Sequence, residues 1–246
     1  MNYNEIIIVG GGKSIQNGLN QGLQPLLANK YTILTNYAYK QFNGTFTAFT
    51  DRAFYKPKPE DDNPDIYEEL RSLPLIVGIN DNGISEFKME NTVLVKRSSD
   101  YHRQHSLRLG FYTGNLTGIF SLGLAAYLMK YTGTIYLLGF DWTQQPIPED
   151  KSKYKSTCDM QIHFYDDIKH RGVGYTGYYD VHNPSQSFKH FLEPNLKIYN
   201  VSPESNINTF EKIDYPTFFK LAGTKVNLID QNSLRQEIFN KLQKEK

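Results

Sequence analysis

The chain has 246 residues, which is enough for one large domain or two small ones. Its 27 basic and 26 acidic residues leave a net charge of +1, so the composition gives no general attraction to nucleic acid or acidic lipid, although it leaves room for a local basic patch. A single cysteine excludes an internal disulfide and a cysteine-based metal site. No apolar run has the length of a membrane span, and the first residues lead directly into a strand. We therefore expect no membrane span, no signal peptide and a cytoplasmic location.

A glycine-rich turn follows the first predicted strand. Residues 6–9 form a short continuous apolar run, which is typical of a buried parallel strand, and a helix-like segment follows to about Asn29. Between them stand Gly10, Gly11, Gly12, Lys13 and Ser14. Glycines let backbone N–H groups approach an anion, and a helix N-terminus adds partial positive charge, so the turn predicts a phosphate contact. It is neither a Walker A loop nor a dinucleotide fingerprint, because Ile7 and Ile15 stand where those motifs need glycine; a turn without a ligand stays the alternative.

Two further predicted strands also end in polar residues. Residues 31–35 lead into Asn36, and residues 46–50 lead into Asp51. Because the carboxyl ends of parallel strands meet at one edge of a sheet, we expect these side chains to lie near the glycine turn. The pattern further predicts a helix at residues 66–73, strands at residues 75–78 and 92–96, and then a polar, basic segment at residues 98–110, which includes His105 and is either a solvated loop or a phosphate contact.

The middle of the chain predicts a second part of the same pocket. Thr113 or Asn115 can cap a buried helix at residues 119–131, whose first N–H groups can then receive an anion. A buried strand follows and closes with a glycine and the acid Asp141. In an open α/β sheet, ligands bind outside the carboxyl ends of the strands. Asp141 is therefore expected at a ligand.

A long irregular segment follows at residues 143–183. It has few apolar runs, and a segment of this kind inside a compact domain is usually a lid or a binding loop. Tyr178 and Tyr179 can donate to a leaving phosphate, and His182, which titrates near neutral pH, can take a proton from an acceptor hydroxyl. Ordinary packing of the tyrosines and simple solvation of the histidine are the alternatives.

The last part of the chain completes the predicted fold. Residues 196–200 predict the last parallel strand, which runs into a polar stretch that contains Ser202. Helices are predicted near residues 185–192 and at residues 231–246. Strands that alternate with helices favour an α/β fold: one Rossmann-like domain over residues 1–246, with a doubly wound, mostly parallel sheet and an inserted irregular lid.

Three segments in chain order carry a resemblance to known families. Residues 6–14 resemble a strand that ends in Gly-x-Gly-Pro-Ser. Residues 113–142 resemble a segment of the form (Ser/Thr)-Gly, small-residue helix, Ile-Tyr-Leu-x-Gly-x-Asp, and residues 199–210 resemble a strand followed by (Pro)-x-Ser-x-(Leu/Ile)-x-x-Phe. The trio is similar to bacterial sialyltransferases that act on lipooligosaccharides. It is equally similar to the family that includes the archaeal 6-hydroxymethyl-dihydropterin diphosphokinase, many of whose members are phage-encoded.

The sialyltransferase resemblance implies a cytidine nucleotide at the glycine turn and a histidine of the lid, here His182, as general base. The residues that it implicates in nucleotide binding are Gly10, Gly12, Ser14, Asn36, Thr113, Gly114 and Asn115. Their positions at the same edge or in the lid add Gly11, Lys13, Asp51, Tyr178, Tyr179 and Ser202 as candidates. A phage origin would place the protein in the host cytoplasm.

Three functions from different classes fit these residues. The first is a glycosyltransferase that takes a nucleotide-sugar, transfers the sugar to an acceptor hydroxyl and requires no cofactor, with His182 and Asp141 as catalytic candidates. The second is an ATP-dependent diphosphokinase of a small hydroxymethyl compound, which would need Mg²⁺ held by Asp51 and Asp141. The third is a non-catalytic protein that binds a nucleotide. We favour them in this order.

Overall fold

The computed structural model describes most of the chain, in seven stretches: residues 4–50, 66–80, 89–99, 105–113, 116–141, 188–223 and 229–243. The described strands form one sheet in the order β6-β5-β4-β3-β2-β1-β7-β8-β9, and every pairing in it is parallel. The strands are β1 (Glu5–Val9), β2 (Thr32–Thr35), β3 (Phe46–Phe49), β4 (Ile76–Asn80), β5 (Thr92–Ser98), β6 (Phe111–Tyr112), β7 (Gly133–Leu138), β8 (Leu196–Asn200) and β9 (Glu211–Lys212). The predicted Rossmann-like α/β fold with a mostly parallel sheet is confirmed.

Helices cover both faces of the sheet. In the described residues they are α1 (Ile15–Leu19), α2 (Leu23–Ala28), α3 (Ile66–Ser72), α4 (Thr117–Leu128), α5 (Tyr215–Gly223) and α6 (Gln231–Gln243). Short 3₁₀ helices lie at Asn36–Lys40 and Lys189–Phe191.

The apolar strands explain why both faces are covered. Successive side chains of a strand point to opposite faces, and in β1 Ile6 and Ile8 pack with α4 and α6 while Ile7 and Val9 pack with α1, α2 and α5. All four are buried. A strand that is apolar on both faces is stable only when helices cover both, which is why β1 reads as one continuous hydrophobic run.

Two helix predictions need correction, one because the helix is broken and one because its bounds differ. The segment predicted as one helix up to Asn29 is two helices, because Gly22 takes a left-handed conformation with φ +89° between them. The helix predicted at residues 119–131 begins two residues earlier, at Thr117, and ends at Leu128. It ends there because Lys130 and Tyr131 both have positive φ, of 53° and 59°, which no α-helix accommodates.

The strands β6 and β9 were not predicted. Each has two residues at an outer position of the sheet, so neither carries enough apolar residues to show a periodic pattern. No helix in the described ranges combines the length and the apolar composition that a bilayer span needs. The predicted lid at residues 143–183 lies outside the described residues.

Candidate functional site

The point where the sheet reverses its winding lies between β1 and β7. From β1 the chain adds β2 to β6 on one side, and it then crosses to β7 on the other side and continues with β8 and β9. β1 pairs with β2 and with β7, both in parallel. In open α/β sheets a crevice forms at this switch point, outside the carboxyl ends of the strands, and it is the usual place for a ligand.

The glycine turn and the end of β7 meet at this point. The Gly10 N–H donates to the Leu138 carbonyl at 2.7 Å, and the Gly12 N–H donates to the Gly139 carbonyl at 2.8 Å. A Cβ atom on Gly12 would lie 2.5 Å from Oδ2 of Asp141 and 2.7 Å from the Gly139 oxygen, so this position has no room for a side chain. The two predicted halves of the site are in direct contact.

Asp141 is tied to the residue that closes the turn. The Asp141 side chain is 7% exposed, and its Oδ2 accepts a hydrogen bond from the Ser14 N–H at 2.8 Å. Its Oδ1 accepts a second hydrogen bond from the Ser14 hydroxyl. A carboxylate that accepts both donors of one residue fixes the position of that residue, and here it holds Ser14 at the start of α1. Asp141 and Ser14 are therefore both at the predicted site.

The turn also presents backbone donors. Among the described residues, the N–H groups of Gly11 and Lys13 have no hydrogen-bond partner. Gly11 is half-buried and Lys13 is exposed, so both groups are within reach of solvent or a ligand. Backbone N–H groups in a glycine turn are the donors that a phosphate needs.

The loop after β8 holds the backbone of Phe140 and Asp141 in place. The buried side chains of Asn200 and Ser205 both donate to the Phe140 carbonyl, at 3.1 Å and 2.7 Å, and the Asn206 N–H donates to the Asp141 carbonyl at 3.0 Å. Sequence reasoning found polar residues here without their role. Ser202, a predicted contact, is buried at 2% exposure in the same loop.

Asn36 lies at the carboxyl end of β2 in an uncommon conformation. Its φ is +51°, which is the left-handed region that asparagine tolerates better than most residues. Its side-chain oxygen is buried and has no hydrogen-bond partner among the described residues. β2 is fixed beside β1 at this end, because the Thr35 hydroxyl donates to the Val9 carbonyl at 2.9 Å. An unpaired buried oxygen is an acceptor available to a ligand.

The N-terminus of α4 lies at the same edge, although its cap differs from the prediction. The N-cap residue is Leu116, which has no side-chain acceptor, so the prediction of Thr113 or Asn115 as the cap is wrong; the Thr113 carbonyl instead accepts the Leu116 N–H at 2.7 Å. The Thr117 hydroxyl shares a hydrogen bond of 2.7 Å with the Thr50 hydroxyl beyond β3. A Cβ on Gly118 would lie 2.8 Å from the Phe140 ring, so α4 begins directly against the end of β7.

Tyr215, the first residue of α5, is a member of the site that the sequence did not reveal. Its side chain is 4% exposed and its ring lies against Gly18, where a Cβ would come within 2.3 Å. Burial raises the pKa of the Tyr215 hydroxyl, the nearby Asp141 carboxylate raises it further, and an interaction with Ser14 opposes both. The hydroxyl makes no hydrogen bond of normal geometry with any described residue.

His105 is not where the sequence placed it. Instead of a solvated or phosphate-binding position, it is buried at 2% exposure and its ring stacks between Phe111 and Phe191, with centroids 5.7 Å and 5.6 Å away. The basic composition of residues 98–110 gave no signal of this, because the stacking partners come from β6 and from the 3₁₀ helix at Lys189–Phe191, far along the chain.

Several predicted site residues lie outside the described residues. They are Asp51, Gly114, Asn115, Tyr178, Tyr179 and His182. Among the described residues, no group of three or more His, Cys, Asp or Glu side chains is close enough to hold a metal ion.

Comparison of the chain with protein families, with curated proteins and with solved structures finds no match.

Proposed function

We propose that the protein is a glycosyltransferase that uses a nucleotide-sugar, similar to the bacterial lipooligosaccharide sialyltransferases. The observation that carries the proposal is the contact between the glycine turn and Asp141 at the switch point of an all-parallel sheet. The turn, which lies at the edge where such sheets bind nucleotides, leaves the N–H groups of Gly11 and Lys13 without a partner among the described residues.

The proposed donor site uses three features of this edge. The turn binds the phosphate through backbone N–H groups, the N-terminus of α4 adds partial positive charge, and the side-chain oxygen of Asn36 accepts a hydrogen bond from the base or the ribose. The α4 helix has twelve residues, and no side chain caps it at Leu116.

The proposed reaction breaks the bond between the anomeric carbon of the sugar and the phosphate oxygen. The acceptor oxygen forms a new bond to the same carbon, and His182 takes the proton of the acceptor hydroxyl. Negative charge develops on the leaving phosphate, where fixed N–H donors stabilise it without reorganisation. Asp141 acts in this scheme by holding Ser14 and the turn, since both of its oxygens accept hydrogen bonds from Ser14.

A thermal-shift panel tests the proposal. The unfolding temperature is measured with CMP, UDP, GDP, ADP and ATP and with the matching nucleotide-sugars, each with and without Mg²⁺. A ligand that binds only the folded state raises this temperature. We expect stabilisation by a nucleotide-sugar without Mg²⁺ and transfer of its sugar to an acceptor. Stabilisation by ATP only with Mg²⁺ would favour the diphosphokinase, and binding without turnover would favour a nucleotide-binding protein. No shift with any nucleotide would overturn the proposal.

A matched pair of variants locates the binding. Asn36→Gly removes the amide while keeping the left-handed backbone, because glycine adopts positive φ without strain. We expect the unfolding temperature of the free protein to change little, and nucleotide binding to weaken by about 1 kcal/mol for the lost hydrogen bond. Asn20→Gly, at the exposed end of α1, should bind as the wild type does.

A further inference from the structure

The buried Tyr215 hydroxyl makes no hydrogen bond among the described residues, although the ring of this residue lies against the helix that begins after Ser14. Tyr215 is 4% exposed, and a buried hydroxyl without a partner costs free energy. Buried polar groups in native proteins are nearly always hydrogen-bonded, so an exception points to a role of the group in another state of the molecule.

Its position is fixed by α1. The Tyr215 ring lies against Gly18, and Gly18 is one helical turn beyond Ser14 on the same face of the helix. The glycine is required there, since a Cβ would come within 2.3 Å of the ring. The ring is thus one helical turn from Ser14, whose N–H and hydroxyl both donate to Asp141.

Ser14 has two competing uses in the proposed nucleotide site. Its hydroxyl now donates to Oδ1 of Asp141, and its N–H donates to Oδ2. A phosphate on the turn would take up the N–H groups of Gly11 and Lys13, and the Ser14 hydroxyl is the next donor along the chain. If that hydroxyl turns to the phosphate, Oδ1 of a buried carboxylate loses its donor.

We propose that Tyr215 is a positioning residue whose hydroxyl replaces the Ser14 hydroxyl on Asp141 when the turn binds a phosphate. The inference rests on the proposed function and deepens it. No proton is transferred; one hydrogen bond to Asp141 is exchanged for another, and the Ser14 hydroxyl becomes a donor to the ligand. The unsatisfied hydroxyl of the free protein becomes satisfied in the complex.

The test compares Tyr215→Phe with the wild type in two measurements, the unfolding temperature of the free protein and the dissociation constants of CMP, UDP, GDP and ADP by titration calorimetry. Tyr136→Phe is the matched control. Tyr136 is buried on the same face of the sheet and contacts the same Phe218 ring as Tyr215, but it lies within β7 and away from the turn.

We expect Tyr215→Phe to unfold at the wild-type temperature or above it, because the variant removes only an unpaired hydroxyl. We expect the same variant to bind the nucleotide roughly tenfold more weakly, because Asp141 then lacks a donor in the complex. Tyr136→Phe should keep the wild-type affinity. A residue with a purely structural role would show the reverse pattern, with lower stability and unchanged affinity.

Two results would overturn the exchange while leaving the proposed function in place. One is wild-type affinity in Tyr215→Phe. The other is a clear loss of stability in the free variant, which would mean that the hydroxyl is already bonded. If the wild type binds none of the four nucleotides, the proposed function itself fails and the exchange fails with it.

Discussion

Gly12 shows how tightly the site is built around single residues. Its N–H is bonded to the Gly139 carbonyl, and the Asp141 carboxylate fills the space where a side chain would be. The carboxylate is in turn held by both donors of Ser14. Neither the Gly139 carbonyl nor the Asp141 carboxylate can therefore move away from Gly12 without breaking a hydrogen bond.

A methyl group at Gly12 should accordingly destabilise the protein. A Cβ there would lie 2.5 Å from a fixed carboxylate oxygen and 2.7 Å from a backbone oxygen, so we expect Gly12→Ala to lower the free energy of unfolding by about 2–3 kcal/mol. The measurement is urea denaturation of the variant and the wild type.

The control for this variant is Gly223→Ala. Gly223 lies at the end of α5, and a Cβ there would meet no atom of the described residues within 4 Å. We expect a change of less than about 1 kcal/mol, in the stabilising direction, because alanine favours the helix. Equal effects at the two positions would mean that Gly12 is not confined by Asp141.

Some residues of the candidate site could be predicted from the sequence next to them, and others could not. The glycine turn, Asn36 and Asp141 could be predicted, because each directly follows an apolar run that marks a strand end. Tyr215 and the clamp of Asn200 and Ser205 could not, because their partners lie far away in the chain and no periodic pattern records such a contact.

An aspartate caps the first turn of both α5 and α6. The Asp214 carboxylate accepts the Thr217 N–H at 2.9 Å, and the Asp230 carboxylate accepts the N–H groups of Asn232 and Ser233 at 3.0 Å and 3.3 Å. These hydrogen bonds stabilise the charged forms, so the pKa of each aspartate is lowered from its ordinary value of 3.8, with the bonds to Thr217 and Ser233 as the main causes.

This lowering gives the stability a defined pH dependence. A carboxyl whose pKa is depressed by folding stabilises the folded state above its unfolded pKa, and this contribution is lost as the pH falls through the lowered folded pKa. The wild type should therefore lose stability relative to the double variant Asp214→Asn, Asp230→Asn as the pH falls below about 4. Asparagine is also a good cap but does not titrate. Urea denaturation at several acid pH values measures the difference, and parallel curves for the two proteins would contradict it.

Among the elements, long apolar runs could be predicted and short or interrupted ones could not. β1, β2, β3 and β8 agree with the sequence pattern to within a residue or two, since all their residues except Glu5 and Lys197 are buried. The break between α1 and α2 depends on the backbone of Gly22 alone, and the edge strands β6 and β9 exist only through pairing with their neighbours.

The molecule as a whole is organised by the order of its strands. Because every described pairing in the sheet is parallel, β1, β2, β3, β7 and β8 all end at one edge, and every described residue of the candidate site lies there or at the start of a helix beside it. The alternation of strands and helices was enough to predict this arrangement. At the opposite edge, Arg235 of α6 donates to the carbonyls of Gly44 and Thr45, just before β3, at 2.9 Å each.

Nitrogen-15 NMR of the labelled protein during titration with CMP, the nucleotide that the sialyltransferase resemblance implies, tests most directly whether the glycine turn binds a phosphate. The N–H groups of Gly11 and Lys13 have no partner in the described part of the free protein, so a new hydrogen bond must change their signals strongly. We expect these two signals to shift most and those of Gly44 and Thr45, at the opposite edge, to stay in place. Unchanged signals of Gly11 and Lys13 in a protein that is otherwise saturated with CMP would contradict the account.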